Sequence, residues 1–281
     1  MCEFCHKHGE GKKWYLEAKN YSDDLLSDMH RSKFIKRFFS EAPPPDSRIL
    51  DPDPFKNVHP FIRNVTQRLA VRKQKKVHYG QVLPIEDVER ILEFVGSIVR
   101  ISCICRYMTL GKEKRYCYGI SLSPDGGKFG ELLRNVSASP AIPPVAKDSE
   151  KLTKEEAIAS FRSHEHEGLC HSVWTFGTPF IGGLCNCDRT DCLAMRYTVT
   201  HNFPMMFRAE YVGVVDPDLC GGCRECMRVC QFGAISYSPS DRKARIDAKA
   251  CFGCGVCRAL CKKDAVHLVD RTSVAVAAKR W

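Results

Sequence analysis

The chain has 281 residues, 44% hydrophobic and 27% charged, with a formal net charge of +10, and this composition is that of a globular protein with a packed core. No apolar run approaches the roughly 20 residues that a membrane-spanning helix needs, so we expect no transmembrane segment. Seventeen cysteines are present, and in a reducing compartment thiols persist unless a metal holds them. Because residues 1–6 show no export signal, we expect a cytoplasmic protein whose cysteines bind metal.

The first predicted unit, residues 1–60, is a helical arm followed by a proline-rich strap. An apolar pattern of helical spacing runs from Leu25 to Phe39, and Ser22 with the two aspartates after it suits a helix start. The prolines at 43–45 end this helix, because proline lacks the backbone N–H that a helix interior needs.

Cys2, Cys5 and His6 form a C-x-x-C-H motif at the start of the chain. That motif attaches haem covalently in exported proteins, so the missing export signal argues against haem here. With His8 nearby, these residues could instead bind zinc or a further cluster, or belong to a terminus without metal. The sequence leaves these alternatives open.

The second predicted unit, residues 61–209, is a cysteine-containing domain of mixed helices and strands. Between Phe61 and Tyr79 there are six lysines or arginines, no acid and a weak apolar stripe, which predicts a basic amphipathic helix. Such a helix suits an acidic protein partner or a solvated surface; nucleic acid is disfavoured because aromatic side chains are not interleaved with the charges. The other predicted elements are a helix over 85–99, a strand over 116–122, a capped helix over 153–168 and a strand over 169–176.

This second unit contains two C-x-C pairs, each followed within fifteen residues by another cysteine: Cys103/Cys105 then Cys117, and Cys185/Cys187 then Cys192. On an extended chain both sulfurs of such a pair point to one face, so the pair can hold a metal or two corners of a cluster. We therefore predict a third metal centre, an iron–sulfur cluster or zinc, with the ligands Cys103, Cys105, Cys185, Cys187 and Cys192. The alternative is that some of these cysteines are small buried hydrophobic side chains.

The third predicted unit, residues 210–281, is an internal repeat with a period of 31 residues. Each copy carries the spacing C-x-x-C-x-x-C-x-x-x-C, at Cys220, Cys223, Cys226 and Cys230 and again at Cys251, Cys254, Cys257 and Cys261. Three thiolates two residues apart can wrap a loop around one corner of a cubane, while the fourth lies on a helix directed elsewhere. Zinc is the alternative, but zinc sites commonly use paired C-x-x-C runs separated by a spacer.

Over residues 211–270 the two runs resemble the bacterial two-cluster ferredoxin family. The resemblance implies a β-α-β-β-α-β module, two 4Fe-4S clusters and one-electron transfer between protein partners. It also implies one cluster on Cys220, Cys223, Cys226 and Cys261 and the other on Cys251, Cys254, Cys257 and Cys230. Family members usually have proline after the fourth cysteine, where this chain has Gln231 and Lys262, so hydrogen bonding near the sulfurs should differ. The C-I-C-R and C-N-C-D stretches are similar, more loosely, to uncharacterised bacterial iron–sulfur proteins.

The sequence thus predicts an α+β chain, in which a mixed α/β cysteine-rich domain precedes a ferredoxin-like two-cluster module. We expect an iron–sulfur electron-transfer protein or subunit that relays single electrons to a partner oxidoreductase, rather than a stand-alone enzyme. Two alternatives are a reductase that acts at its own extra cysteine-ligated centre and a redox or iron sensor. The sequence assigns no catalytic residue and no oligomeric state.

Overall fold

A computed structural model describes residues 13–40, 57–137 and 149–280. The helices are α1 Met29–Ser40, α2 Pro60–Val77, α3 Ile85–Phe94, α4 Ile104–Leu110, α5 Gly127–Ser137, α6 Lys154–His166, α7 Leu193–Val199, α8 Glu225–Arg228, α9 Val256–Ala259 and α10 Ala275–Ala278. The strands are β1 Gly80–Leu83, β2 Ser97–Ile101, β3 Cys117–Ser121, β4 Glu150–Leu152, β5 Cys170–Thr175, β6 Ile181–Cys187, β7 Met206–Phe207, β8 Tyr211–Val215, β9 Ile235–Ser238, β10 Lys243–Ile246 and β11 Val266–Asp270. This mixture confirms the predicted α+β class. The C-x-x-C-H motif and the prolines at 43–45 lie outside the described residues.

One seven-stranded sheet organises residues 80–207, with the strand order β4-β2-β3-β6-β5-β1-β7. Neighbouring strands are antiparallel except β1 and β7, which run parallel. Successive side chains of a strand point to opposite faces, so each face carries every second residue. Tyr118 and Leu184 belong to the apolar core on the first face, and Cys185 and Cys187 lie on the second.

Helix α3 covers part of the first face with buried side chains at helical spacing. The predicted helix over 85–99 is wrong beyond Phe94, because residues 97–101 form β2 instead. Gly96 stands at the break. A Cβ atom there would lie 2.2 Å from the carbonyl oxygen of Leu122, so the chain can make this approach only with glycine.

Helix α6 covers the rest of the first face, and its predicted capping box is confirmed. The Thr153 side chain accepts a hydrogen bond from the Glu156 N–H at 3.2 Å, and the Glu156 carboxylate accepts one from the Thr153 N–H at 2.8 Å. After the helix, Gly168 takes a positive φ of 88°, as a helix-ending glycine does. Phe161 packs on Tyr118 of the sheet with ring centroids 4.6 Å apart.

Helices α1 and α5 cover the second face through aromatic side chains. The Phe176 ring lies 5.5 Å from that of Phe39 in α1 and 5.8 Å from that of Phe129 in α5. The arm before α1 consists of 3₁₀ turns at Trp14–Leu16, Ala18–Tyr21 and Asp23–Ser27. It joins the same fold: the buried Tyr15 hydroxyl donates to Asp87 of α3 at 2.6 Å.

Helix α2 is the predicted basic helix, and most of it is exposed. Phe61, Ile62, Val65 and Leu69 expose 91%, 57%, 58% and 59% of their surface, so the described part of the chain does not bury its apolar stripe. None of the described helices combines the length and the hydropathy that crossing a bilayer requires.

The C-terminal module follows the β-α-β-β-α-β order from β8 to β11, as the ferredoxin resemblance implies. Strand β8 pairs with β11 and β9 pairs with β10, both antiparallel, so each sheet contains one strand from each half of the repeat. Beyond β11, the fully buried Arg271 donates to Glu210 at 2.8 Å, and Glu210 also accepts from Gln81 of β1 at 3.1 Å. This ion pair anchors the end of the module to the seven-stranded sheet.

Candidate functional site

The loops that carry the first cysteines of each run have matching backbones. Gly222 and Gly253 occupy equivalent positions, with positive φ values of 68° and 72°. A Cβ at Gly222 would lie 2.3 Å from the Arg242 carbonyl oxygen, and one at Gly253 would lie 2.1 Å from the Tyr211 carbonyl oxygen. Both loops therefore curl tightly only because glycine stands there, and the repeat in sequence becomes a repeat in backbone shape.

Backbone N–H groups point at several sulfur atoms of these runs. The Ala234 N–H donates to Cys230 Sγ at 3.2 Å, and the equivalent Ala265 N–H donates to Cys261 Sγ at 3.3 Å. Cys251 Sγ accepts two such bonds at 3.4 Å. Donors of this kind stabilise a thiolate, which is the form that binds iron.

The structure brings Cys261 to the first run and Cys230 to the second. Burial raises the pKa of Cys226 to about 11, and Cys223, Cys220 and Cys261 around it raise this pKa further. Burial likewise raises the pKa of Cys257, and its neighbours Cys254, Cys251 and Cys230 raise it further, with Cys226 of the first run adding to them. This is the grouping that the ferredoxin resemblance implies. Thiols with raised pKa values keep their protons until a metal displaces them.

All five cysteines of the predicted third centre also come together, on the second face of the sheet, and Cys117 joins them. Cys117 of β3 is the cross-strand partner of Cys185 of β6, with the two sulfurs 3.2 Å apart. We call the set the six-cysteine site: Cys103, Cys105, Cys117, Cys185, Cys187 and Cys192. All six line one cavity. Within the described ranges, no three or more His, Cys, Asp or Glu side chains are placed so that together they could hold one metal ion.

The two C-x-C pairs reach the six-cysteine site in different ways. Cys185 and Cys187 lie on a strand, so their sulfurs share one face, as expected. Cys103 instead precedes α4 and Cys105 lies in its first turn, so the extended geometry expected for this pair is wrong. Cys192 precedes α7 in the same manner, and α4 packs against α7. Two helix starts thus supply the cysteines that the strands do not.

Neighbouring thiols and burial together raise the pKa of every cysteine of the six-cysteine site except Cys192, so these thiols keep their protons until a metal displaces them. Cys105 and Cys187 donate hydrogen bonds that hold the pKa of Cys192 well below its usual range. The Arg106 guanidinium is only 1% exposed and donates to Cys103 Sγ at 3.6 Å. It also pairs with Asp188, while its Nε has no hydrogen-bond partner among the described groups. A buried cation at this position compensates negative charge on neighbouring sulfurs.

Residues 219–265 match a family model described as a 4Fe-4S dicluster domain. The match spans all eight cysteines of the two runs. No curated protein matches the chain. Iron–sulfur binding of the 4Fe-4S type, with the electron transfer that such domains perform, is therefore supported for the C-terminal module.

Cys170 links this dicluster domain to the six-cysteine site, and sequence reasoning gave it no role. It is fully buried in β5, where it is the cross-strand partner of Cys187. On its other side its thiol hydrogen-bonds to Cys254 of the dicluster domain, which lowers the pKa of Cys254. Only the pairing of β3, β6 and β5 aligns Cys117, Cys185, Cys187 and Cys170, and the cysteine spacing gives no sign of that pairing.

Gln231, at the position where ferredoxins usually have proline, ties the same two parts together. Its side-chain amide donates to the Gly168 carbonyl at 2.8 Å, and its oxygen accepts from the Arg189 N–H at 3.0 Å. Close by, the Ala209 N–H donates to the Phe252 carbonyl at 2.9 Å. The residue that departs from the family pattern therefore helps to hold Cys170 against Cys254.

Proposed function

We propose that this chain passes single electrons through two 4Fe-4S clusters to a third iron–sulfur centre and to a partner oxidoreductase in the cytoplasm. In this proposal residues 210–281 are the two-cluster module, residues 61–209 hold the third centre, and residues 1–60 form the arm. The first cluster would be held by Cys220, Cys223, Cys226 and Cys261, and the second by Cys251, Cys254, Cys257 and Cys230. The third would use the six-cysteine site. A 4Fe-4S cluster supplies one-electron redox chemistry when bound.

The contact that carries this proposal is Cys170. Its sulfur contacts a cysteine of the second group, Cys254, and its strand neighbour Cys187 belongs to the six-cysteine site. Side chains directly opposite on antiparallel strands have Cβ atoms about 4.5 to 5.5 Å apart. One buried thiol therefore spans the separation between the two sulfur groups.

The two runs differ in exposure, and this gives the proposed path a direction. Cys223 of the first run is exposed, whereas Cys254 of the second lies against buried Cys170. Electrons from a soluble donor would enter beside Cys223 and leave the module beside Cys254.

Helix α2 is the docking surface that we propose for the partner. Lys75 at its C-terminal end lies 4.3 Å above the Phe207 ring, and the neighbouring Arg208 donates to the Cys251 carbonyl. The C-terminal end of the helix therefore lies near the second cysteine group. Its exposed apolar stripe and its basic residues, without an acid between Phe61 and Tyr79, suit a protein partner with an apolar patch ringed by acidic side chains.

The second candidate function is a reductase that acts at the third centre itself. The observation that favours it is the cavity bounded by the six-cysteine site, which would give a substrate direct access to that centre. A relay centre needs no such space.

Iron and sulfide counting on anaerobically purified protein, with paramagnetic resonance during a reductive titration, tests the proposal. We expect about twelve irons per chain, since each 4Fe-4S centre holds four. Cys187→Ser should lose the third signal and leave about eight irons. Cys170→Ser is the matched control, because Cys170 is no ligand in this scheme, and it should keep all twelve. About eight irons in the unmodified chain, or zinc in their place, would contradict the third centre.

A further inference from the structure

A cavity of about 470 Å³ extends from the six-cysteine site across the second face of the sheet. Its volume lies in the range of small-molecule sites, roughly 300 to 1,000 Å³. Apart from the cysteines, its lining is almost entirely apolar. Its lining includes Phe38, Phe39, His78, Gly119, Trp174, Phe176 and Gly183.

Glycines form the floor of the cavity. Gly119 of β3 and Gly183 of β6 are cross-strand partners, so both leave the same face of the sheet bare. A Cβ at Gly119 would meet nothing closer than a Leu133 methyl at 3.9 Å and the Val99 carbonyl oxygen at 4.0 Å. A single methyl group would therefore fit at Gly119 in ordinary contact with Leu133, and the floor is flat where a larger side chain would otherwise stand.

Aromatic rings form a second part of the cavity lining. The Phe176 ring lies 5.4 Å from that of Phe38 and 5.5 Å from that of Phe39, and the second pair is stacked. The His78 ring lies 5.1 Å from that of Trp174 and 4.5 Å from that of Phe38. Offset stacks and edge-to-face contacts of this kind extend readily to another flat ring.

The charges at the cavity favour a neutral or anionic ligand. Burial lowers the pKa of His78 to about 4, so the imidazole is neutral near pH 7. Arg37 and Arg106 are the only Lys or Arg side chains in the described lining, which contains no acid. A cation would meet these two like charges there, with only the faces of the aromatic rings to attract it, so the cavity favours a neutral or anionic ligand.

We propose that this cavity is a binding site for a planar aromatic molecule, neutral or anionic, seated on the glycine floor and touching the six-cysteine site. The inference rests on the proposed function in one respect: the molecule would contact the third centre. Part of the volume lies among the cysteines and would be taken by that centre, and the remainder lies between the Gly119 floor and the aromatic rings. The lining therefore restricts the shape of the ligand closely, whereas it restricts the positions of the ligand's polar groups only loosely.

The test is anaerobic titration calorimetry of the iron-loaded full chain with 2-naphthol, a flat two-ring probe that is not readily reduced. We expect saturable binding of one molecule per chain. Gly119→Leu fills the open space above the floor and should weaken binding at least tenfold, with the iron content unchanged. Leu133→Phe fills the same space from α5 and should weaken binding in the same way, so it provides the test if Gly119→Leu does not fold.

Leu69→Ser in α2 is the matched control, because that residue belongs to a separate, exposed apolar surface and does not line the cavity. It should leave naphthol binding unchanged. The inference is overturned if the unmodified chain binds no naphthol, if both cavity-filling variants bind it normally, or if Leu69→Ser removes the binding.

Iron counting on the same samples separates this inference from the proposed function. If naphthol binds and the chain holds about eight irons, the binding site is supported and the third centre is contradicted. If naphthol does not bind and the chain holds about twelve irons, the third centre is supported and the binding site is contradicted. When both hold, bound naphthol should shift the resonance signal that Cys187→Ser abolishes, because the ligand and the six-cysteine site share one cavity.

Discussion

Cys170 is the residue whose removal should be most informative about the dicluster domain. Its thiol donates to Cys254, and hydrogen bonds to ligand sulfur stabilise the reduced, more negative cluster. Cys170→Ala should therefore lower the reduction potential of the cluster held by Cys254 and leave that of the other cluster unchanged. A redox titration followed by paramagnetic resonance measures both potentials in one experiment.

The conservative variant Cys170→Ser separates hydrogen bonding from packing. A hydroxyl at this position can still donate, so its potential should lie closer to the unmodified value than that of the alanine variant. Equal shifts in both clusters, or no shift with alanine, would contradict a donor role for the thiol.

Glu165 is a buried carboxyl group whose charge should make stability depend on pH. It is 5% exposed, and its Oε1 has no hydrogen-bond partner among the described groups. Burial raises its pKa to about 7, and the charge of Glu86 adds to the rise while that of Arg258 opposes it. Because the folded state holds this proton more tightly than the unfolded chain, the associated stability is present below about pH 4.5 and is lost as pH rises through 7.

Glu165→Gln cannot ionise, so it should be more stable than the unmodified chain at pH 8, by on the order of 1 to 3 kcal/mol. The difference should disappear near pH 5. Anaerobic denaturant unfolding at the two pH values measures it. Glu155→Gln, on the exposed side of the same helix, is the control and should show no comparable dependence. A Glu165→Gln variant that is less stable than the unmodified chain at pH 8 would refute the assignment.

At the scale of elements, α2 combines a helix that the sequence predicts well with a surface that only the structure reveals. The basic pattern from Phe61 onwards predicts the helix, and the structure gives Pro60–Val77. Helical periodicity, however, ordinarily implies that the apolar stripe is buried, and here it is exposed. Similarly, the apolar pattern over 85–99 does not distinguish α3 from β2, because the break at Gly96 arises from a contact with a distant turn.

Reversing charges on α2 should slow electron transfer to an acidic partner. Arg72→Glu with Lys73→Glu should lower the second-order rate for a small acidic flavoprotein about tenfold or more at low salt, since steering depends on the basic face. The effect should shrink in about 0.5 M salt, where charges are screened. Stopped-flow mixing of the reduced chain with the oxidised flavoprotein measures the rate.

Lys151→Glu in β4 is the control for this experiment, because it changes the net charge at the far edge of the sheet. It should alter the rate much less than the α2 variant. A rate insensitive to both α2 charges would place the docking surface elsewhere.

For the whole molecule, the C-terminal module should depend on iron while the sheet domain does not. The buried core of the module consists of three small or medium apolar side chains, Ala244, Ala265 and Val266, and three cysteines, Cys220, Cys226 and Cys257. Such a core is too small to stabilise a fold without its metal. The sheet domain, in contrast, has two extended apolar cores.

Removing iron anaerobically with a chelator should therefore unfold residues 211–270 selectively. Limited trypsin digestion with mass spectrometry should then show cleavage after Arg224, Lys243 and Lys249, while residues 80–207 remain resistant. The iron-loaded chain is the control and should resist at both places. Uniform cleavage along the chain would contradict the prediction that only the C-terminal module needs iron to stay folded.

The sequence predicts the ferredoxin cysteines more completely than the six-cysteine site, and the reason is physical. The ferredoxin cysteines lie close together in sequence, so their spacing alone predicts the loop and the family model agrees. The third group is assembled from β3, β6 and two helix starts. Four of its five predicted cysteines follow from the C-x-C pattern and Cys192 from its position shortly after the second pair, but the places of Cys117 and Cys170 depend on strand order, which local spacing does not encode.

The close pair Cys117 and Cys185 bears on how the protein can be handled. Their sulfurs are 3.2 Å apart on neighbouring antiparallel strands, whose Cα separation of about 4.5 to 5.5 Å lies within the span of a disulfide. Air oxidation of metal-free protein would therefore be able to join this pair and close the site to reconstitution. Material prepared aerobically should recover its C-terminal clusters more readily than the third centre, unless a reductant first reopens the bond.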